Sequence, residues 1–199
     1  MQPIENPPRL SRGRAATSGF TLVELMVTVV VLSIVLAMAV PSFSSMINRN
    51  RLAASANEAV AAFQVARMEA VRRNARVVLC PSANGSACAG GDWSRLIVFS
   101  DNNGNGSPGD ANEEIIRDVV LAAGGVSIKP SGNVATNQRI SFGADGFARV
   151  GNAGARVGGL SVCSTKLPSA DNTRDITVAV SRIAVASRDG SDACSAMSN

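Results

Sequence analysis

Ser18-Gly19-Phe20-Thr21-Leu22-Val23-Glu24-Leu25 opens a run from Phe20 to Val40, FTLVELMVTVVVLSIVLAMAV, that carries one charge, Glu24, in 21 residues. As a helix this run reaches roughly 30 Å, about the thickness of a bilayer's hydrocarbon core. Arg9, Arg12 and Arg14 precede it and no basic residue lies within it, which sets the expected amino terminus in the cytoplasm. Met1 to Gly19 carry Pro3, Pro7 and Pro8 and no apolar run, so they read as an unstructured leader. A secretory signal peptide ends in a small-residue cleavage site after its apolar region. Here Pro41 and Ser42 lead instead into further helical sequence.

From Asn48 to Arg73 apolar residues recur at Leu52, Ala56, Ala59, Val60, Phe63, Ala66, Ala70 and Val71. Arg49, Glu58, Arg67, Glu69 and Arg72 stand around them, which is helical spacing. One long helix, bent near Pro41, is therefore expected to run from the membrane into a head. After Asn74 come short β-prone runs: Arg76 to Cys80, Trp93 to Phe99, Glu114 to Leu121, Val126 to Lys129, Arg139 to Phe142, Phe147 to Val150, Leu160 to Cys163, and Ile176 to Val185 with a break at Ser181. Gly, Asn, Asp and Pro fill the gaps. Long helix first and strands second predicts an α+β head in which the helix covers one face of an antiparallel sheet. Residues 1–19 are then the leader, 20–47 the membrane-spanning helix, and 48–199 the head, with the helix continuing to about Asn74.

Composition narrows the chemistry. At 199 residues, 46% hydrophobic and 17% charged, the chain can build one core. It has no His and no Tyr, which removes the commonest general base, metal ligand and proton shuttle. No nucleophile, base and orienting group assemble from what remains, so no enzymatic activity and no cofactor are expected. The net charge of +4 owes much to the leader arginines; 16 basic and 14 acidic residues remain from Phe20 onward, a weak bias toward nucleic acid.

The Ser18 to Leu25 stretch resembles the processing site of type IV pilins and type II secretion pseudopilins: Gly before an aromatic residue, an acidic residue four positions on, an apolar helix and a basic leader. The resemblance implies cleavage between Gly19 and Phe20 by a membrane-embedded prepilin peptidase, with N-methylation of the new Phe20 amine. Gly suits a scissile position because a missing side chain lets the peptidase approach the backbone. The resemblance also gives Glu24 a partner, the amino terminus of a neighbouring subunit. An ionised carboxylate in an apolar span otherwise costs several kcal/mol.

Ala66-Arg67-Met68-Glu69-Ala70-Val71-Arg72-Arg73-Asn74 followed by Arg76-Val77-Val78-Leu79-Cys80 resembles the helix-to-strand junction of the GspH/FimT minor pseudopilins. Gly91-Asp92-Trp93, Val98-Phe99-Ser100-Asp101, Ile115-Ile116-Arg117 and Phe142-Gly143-Ala144-Asp145-Gly146 are similar too. The implied fold is the type IV pilin fold. The implied function is a minor structural subunit of a type IV pilus or a type II secretion pseudopilus, anchored in the inner membrane with a periplasmic head. Its implied partners are the peptidase and other pilins. Trp93 and Phe99 are expected to pack in the core.

Cys80 and Cys88 flank the turn-rich PSANGSA segment, and Cys163 and Cys194 would tie a late strand to the C-terminal tail. Chain-entropy arguments give about 2.5 and about 3.7 kcal/mol for these loops. Redox-active pairs are the alternative, though neither has the CxxC spacing that lowers a thiol pKa. Asp101-Asn102-Asn103-Gly104-Asn105-Gly106 reproduces the first half of a calcium loop, with oxygens at Asp101, Asn103 and Asn105. Its twelfth position is Asn112 where a bidentate Glu is needed, and a plain Asn/Gly loop explains the same residues. FimT-type relatives that act in DNA uptake carry a Gly-Arg-x-Arg element. The counterpart here, Ser181-Arg182-Ile183-Ala184, keeps Arg182 but lacks the Gly and the second Arg. A pilus-tip DNA receptor is thus the alternative function, and it calls for Arg174, Arg182 and Arg188 to cluster.

Overall fold

The computed structural model describes residues 19–122, 124–151, 155–191 and 194–198. The leader expected at 1–19 lies outside the described residues except for Gly19. The chain divides into two compact units, Met1–Pro41 and Ser42–Asn199.

Helix α1 spans Leu22–Arg73. It starts where the Thr21 hydroxyl accepts the Glu24 N–H at 3.2 Å, an N-cap that satisfies one orphan amide of the first turn. It stops at Asn74, whose φ of 49° is left-handed. Ala75 N–H then donates to Ala70 O at 3.1 Å and Asn74 N–H to Val71 O at 3.3 Å, the paired bonds of a Schellman motif. Arg72 and Arg73 in the last turn face the negative end of the helix dipole. Pro41 lies inside α1, which continues through it as helix.

In the unit that begins at Ser42, α1 buries Leu52, Ser55, Ala56, Ala59, Ala62, Phe63, Ala66 and Ala70. Steps of three and four place these on one face, and five of the eight are alanines, which allow the helix backbone close to the strands. The strands are β1 Val77–Pro81, β2 Arg95–Ser100, β3 Ile115–Val120, β4 Val126–Pro130, β5 Ile140–Phe142, β6 Ala148–Val150, β7 Val157–Ser164, β8 Thr173–Ala179 and β9 Ile183–Arg188. A short helix α2, Gly132–Asn137, falls between β4 and β5.

Where one antiparallel sheet is expected from the sequence, the structure has two: a five-stranded sheet in the order β3-β2-β1-β5-β6 and a four-stranded sheet in the order β4-β7-β8-β9. Among the described residues every strand pairing is antiparallel. The chain first leaves the five-stranded sheet after β3, where Gly124 and Gly125 both take positive φ, 65° and 94°; it returns at β5 and leaves again after β6. Turn chemistry announces a change of direction without saying which sheet receives the next strand.

One core joins both sheets to α1, with Phe63, Trp93, Leu96, Val98, Phe142, Leu160, Val162 and Ile176 among its buried members. A second cluster, Val78, Cys80, Ile97 and Phe99 with Cys88 against it, sits on the other face of the five-stranded sheet. Every residue of β1 is therefore buried, and its VVLCP sequence runs apolar without alternation for that reason.

Candidate functional site

The segment in which processing at Gly19 and Phe20 and assembly through Glu24 are expected is apolar apart from Glu24 and exposed. Phe20 is 82% exposed, and every large hydrophobic residue from Leu22 to Met46 is exposed as well. α1 is the one helix among the described residues long and apolar enough to cross a membrane. Between Leu22 and Val40 its two hydroxyls are satisfied within the helix: Thr28 Oγ1 donates to Leu25 O at 2.8 Å and Ser33 Oγ to Val30 O at 2.7 Å. Glu24 stands in the first turn, where a carboxylate complements the helix dipole. Its carboxylate has no ion-pair or hydrogen-bond partner among the described residues. Between Phe20 and Val40 it is thus the single polar side chain that requires something from outside the segment.

In the head, Cys80 is bonded to Cys88 and Cys163 to Cys194, with Cα separations of 5.6 and 5.7 Å. Trp93 and Phe99 are both fully buried. The Trp93 indole N–H donates to Gln138 Oε1 at 3.1 Å, and Gln138 is held in place as the left-handed cap of α2.

The Asp101 loop spends its oxygens on itself. Asp101 is buried and accepts the Gly106 N–H at 3.2 Å on both carboxylate oxygens, while Arg76 Nε lies 3.2 Å from Oδ2. Asn103 Oδ1 accepts the Asn105 N–H at 2.8 Å, and Asn105 Oδ1 accepts the Ser107 N–H at 2.6 Å. The Asn103 and Asn105 amide groups both donate to Asp110. The oxygens that a calcium ion would need are engaged in turn geometry.

The cluster of Arg174, Arg182 and Arg188 that the DNA-receptor alternative calls for does not form. Thr173 pairs with Arg188 at one end of the β8–β9 hairpin, and Ala179 pairs with Arg182 at the other. Arg174 is paired to Asp171 at 2.8 Å, and Arg188 to Asp175 at 2.5 Å. A two-residue turn places Arg182 at the hairpin tip, five residue steps from the nearer of the other two registers, and strand rise spreads these positions over more than roughly 15 Å. The alternation of the sequence near Ser181 carries no information about which end of the hairpin each arginine occupies.

Two polar arrangements went unread in the sequence. Arg67 on α1 donates from Nε to Gly146 O and from Nη2 to Ser181 O, both at 2.8 Å, and so ties the helix to the β5–β6 and β8–β9 turns. Asp175 accepts from Ser161 Oγ at 2.6 Å and from Arg188, and Arg188 also donates to Ser195 O at 2.9 Å. Met197 N–H donates to Ser161 Oγ at 2.9 Å, so this network and the Cys163–Cys194 bond together hold the tail across β7 and β8.

Comparison with known proteins agrees with this architecture. The family model described as "Type II transport protein GspH" matches residues 55–183, more than half of the 199-residue chain. The chain belongs to the GspH family. A second model, "Prokaryotic N-terminal methylation motif", matches residues 14–40 and covers the processing and apolar segments. Two crystal forms of the type IV minor pilin FimU from Pseudomonas aeruginosa strain PAO1 are similar in structure. One has a TM-score of 0.51 at 18% identity over 75% of this chain and 94% of FimU. The other has a TM-score of 0.48 at 16% identity over 72% and 95%. No curated protein matches the chain in sequence. This member of the GspH family is therefore a minor pilin or pseudopilin with the pilin fold, a structural subunit of a type IV pilus or a type II secretion pseudopilus. The methylation motif implies prepilin peptidase processing, and the apolar helix implies membrane anchoring.

Proposed function

We propose that prepilin peptidase cuts between Gly19 and Phe20, and that residues 20–47 then hold the subunit in the inner membrane as a single span. The leader side is cytoplasmic and the head, 48–199, is periplasmic. As the fibre grows, this helix leaves lipid and packs among the helices of other pilin-type subunits, with Glu24 facing the new amino terminus of a neighbour. The carrying observation is the state of Glu24: one unpartnered carboxylate in an apolar run, Leu22 to Val40, whose two hydroxyls, Thr28 and Ser33, are bonded within the helix and whose large apolar side chains are exposed. A desolvated carboxylate costs several kcal/mol until a cation meets it, so pairing with a neighbour's ammonium favours insertion into the fibre over storage in lipid.

Two measurements test this reading. N-terminal sequencing of membrane-extracted protein is expected to begin at Phe20; a start at Met1 or elsewhere would refute the processing step. Glu24→Ala is expected to leave insertion and cleavage intact while depleting the subunit from sheared fibres. Normal recovery of that variant at matched membrane levels would remove Glu24 from the assembly contact.

A further inference from the structure

Four strands end the two sheets: β3 and β6 in one, β4 and β9 in the other. An edge strand presents unpaired N–H and C=O groups to any passing chain, and proteins blunt such edges with charge, proline, shortness or cover. β3 carries Arg117 and Asp118, which are held by Glu58 and Arg95. β4 carries Lys129 and ends in Pro130. β6 has three residues, and it is covered where Ala148 N–H donates to Val180 O at 2.8 Å and Val150 N–H to Ala155 O at 3.2 Å. β9 has no such device: Ile183-Ala184-Val185-Ala186-Ser187 contains neither charge nor proline before Arg188.

The register identifies the free groups on β9. Ala179 and Arg182 exchange both backbone bonds across the hairpin turn, at 2.8 and 3.3 Å. Bonded pairs alternate in an antiparallel ladder, so Ala184 and Ala186 bond to β8, while Ile183, Val185 and Ser187 turn their N–H and C=O groups outward. These outward groups have no partner among the described residues. Val185 is 49% exposed although it lies directly opposite Ile176, which is fully buried. The apolar face of the sheet thus continues one strand further than its cover. Among the described tail residues, Ser191 and Met197 bond to Asn172 and Ser161, and Ser195 accepts the Arg188 side chain, so none of them bonds to the outward backbone groups of β9. Arg182, exposed at the start of β9, has no anionic partner among the described residues.

We propose that β9 is a docking edge that adds one extended segment of a different pilin-type subunit as an antiparallel strand. The added segment carries an apolar residue opposite Val185 and a carboxylate opposite Arg182. A second copy of this chain fits poorly. Self-pairing in the register that joins all three outward residues is centred on Val185 and sets Arg182 opposite Arg188, and like charges directly opposite destabilise a ladder. Charge complementarity at Arg182 therefore selects an acidic partner strand. The proposal rests on the fibre-subunit reading above.

The test uses the full chain in cells that assemble the fibre, with recovery in sheared fibres measured at matched membrane levels. Val185→Pro removes an outward N–H and leaves the β8–β9 ladder donors in place. Arg182→Glu reverses the charge at an exposed position. Each is expected to lower recovery by about tenfold or more, the loss of roughly one to two hydrogen bonds' worth of pairing. Val185→Ile keeps both the backbone edge and the apolar side chain and is expected to retain parent recovery. Normal recovery of Val185→Pro and Arg182→Glu, with the parent present in fibres, overturns the docking edge; absence of the parent itself overturns the fibre reading instead.

A second arm is independent of fibres. The detergent-solubilised full chain is titrated with the synthetic peptide Ser-Thr-Thr-Val-Thr-Val-Glu and with the same peptide ending in Lys. The Glu peptide is expected to bind several-fold more tightly, with the order reversed by Arg182→Glu and both lost in Val185→Pro. Equal binding of the two peptides, or no binding of either, counts against the proposal. A dimer of the purified chain that Val185→Pro abolishes would assign the edge to a second copy and overturn the acidic partner.

Discussion

Replacing half-buried Arg67 with Ala should loosen the head more than a substitution at an exposed position of the helix, because one guanidinium holds two distant turns. Its bonds to Gly146 O and Ser181 O are both 2.8 Å and span 79 and 114 residues of sequence. A hydrogen bond from a charged donor contributes about 1.5–3 kcal/mol when well shielded, and an exposed pair contributes less. Gly146 is buried and its carbonyl keeps the upper part of that range, while Ser181 is exposed and its carbonyl can turn to water. The expected loss is about 2–3 kcal/mol, which for a protein of this size lowers Tm by about 4–12 °C. Trp93 is the single tryptophan and is buried, so its fluorescence during urea unfolding of the detergent-solubilised chain reports the loss directly. Arg67→Lys should recover roughly half or less, since a point ammonium cannot reach both carbonyls in a fixed fork. A change within about 0.5 kcal/mol for the Ala variant, the scale of an ordinary surface substitution, would refute the clamp. So would a Lys variant as stable as the parent.

Gly19→Val should block processing, read as retention of the longer form on gels of membrane fractions, because a branched side chain enters a site shaped for none. Glu69 is held at a pKa of about 2, against an ordinary 4.5, by hydrogen bonds from Arg72 and then Arg73. A depressed carboxylate pKa stabilises the fold above the unfolded value and loses that contribution as pH falls through the folded one. The stability difference between the parent and Glu69→Gln should therefore be constant near neutrality and close between pH 4.5 and about 2 in urea titrations. Cys163→Ser with Cys194→Ser should lower stability by about 3.7 kcal/mol and Cys80→Ser with Cys88→Ser by about 2.5, compared by urea midpoint at unchanged slope.

Much of this fold is legible in the sequence because its signals are local. Phe20 to Val40 is too long and too apolar for anything but a span or a buried helix, and the later β-branched runs fall within a few residues of the observed strands. The division into two sheets is not local: it depends on what Gly124 and Gly125 do with their positive φ angles. Helix α2 is hidden for a different reason. Gly132-Asn133-Val134-Ala135-Thr136-Asn137 is a poor helix former, and it is held by the burial of Val134 and by the Gln138 N–H bond to Val134 O at 2.7 Å. The N-terminal methylation motif is legible because its signals are contiguous: Gly19, Phe20 and Glu24 stand within six residues at the head of the apolar run. Arg67 reads like any other arginine on a polar helix face, and β9 reads like any other short strand until its neighbours are known.

The composition of α1 within the head explains why polar clamps carry so much of the attachment. Alanines at 56, 59, 62, 66 and 70 make up most of the helix's buried face, but each buries little apolar area, and burial contributes in proportion to area. Leu52 and Phe63 are the large side chains on that face. Most of the remaining core bulk, Trp93, Leu96, Phe142, Leu160 and Ile176, comes from the sheet side. A close-fitting but smooth helix resists separation through its few knobs and resists sliding through bonds that cross to the sheets. Arg67 to two turns, Glu58 to Arg117 and Arg73 to Glu114 are those cross-links. Exposed ion pairs are weak against equilibrium unfolding. Their bonds fix which turn of the helix faces which strand or loop, so their physical contribution is to register, with the apolar core supplying the bulk of the stability.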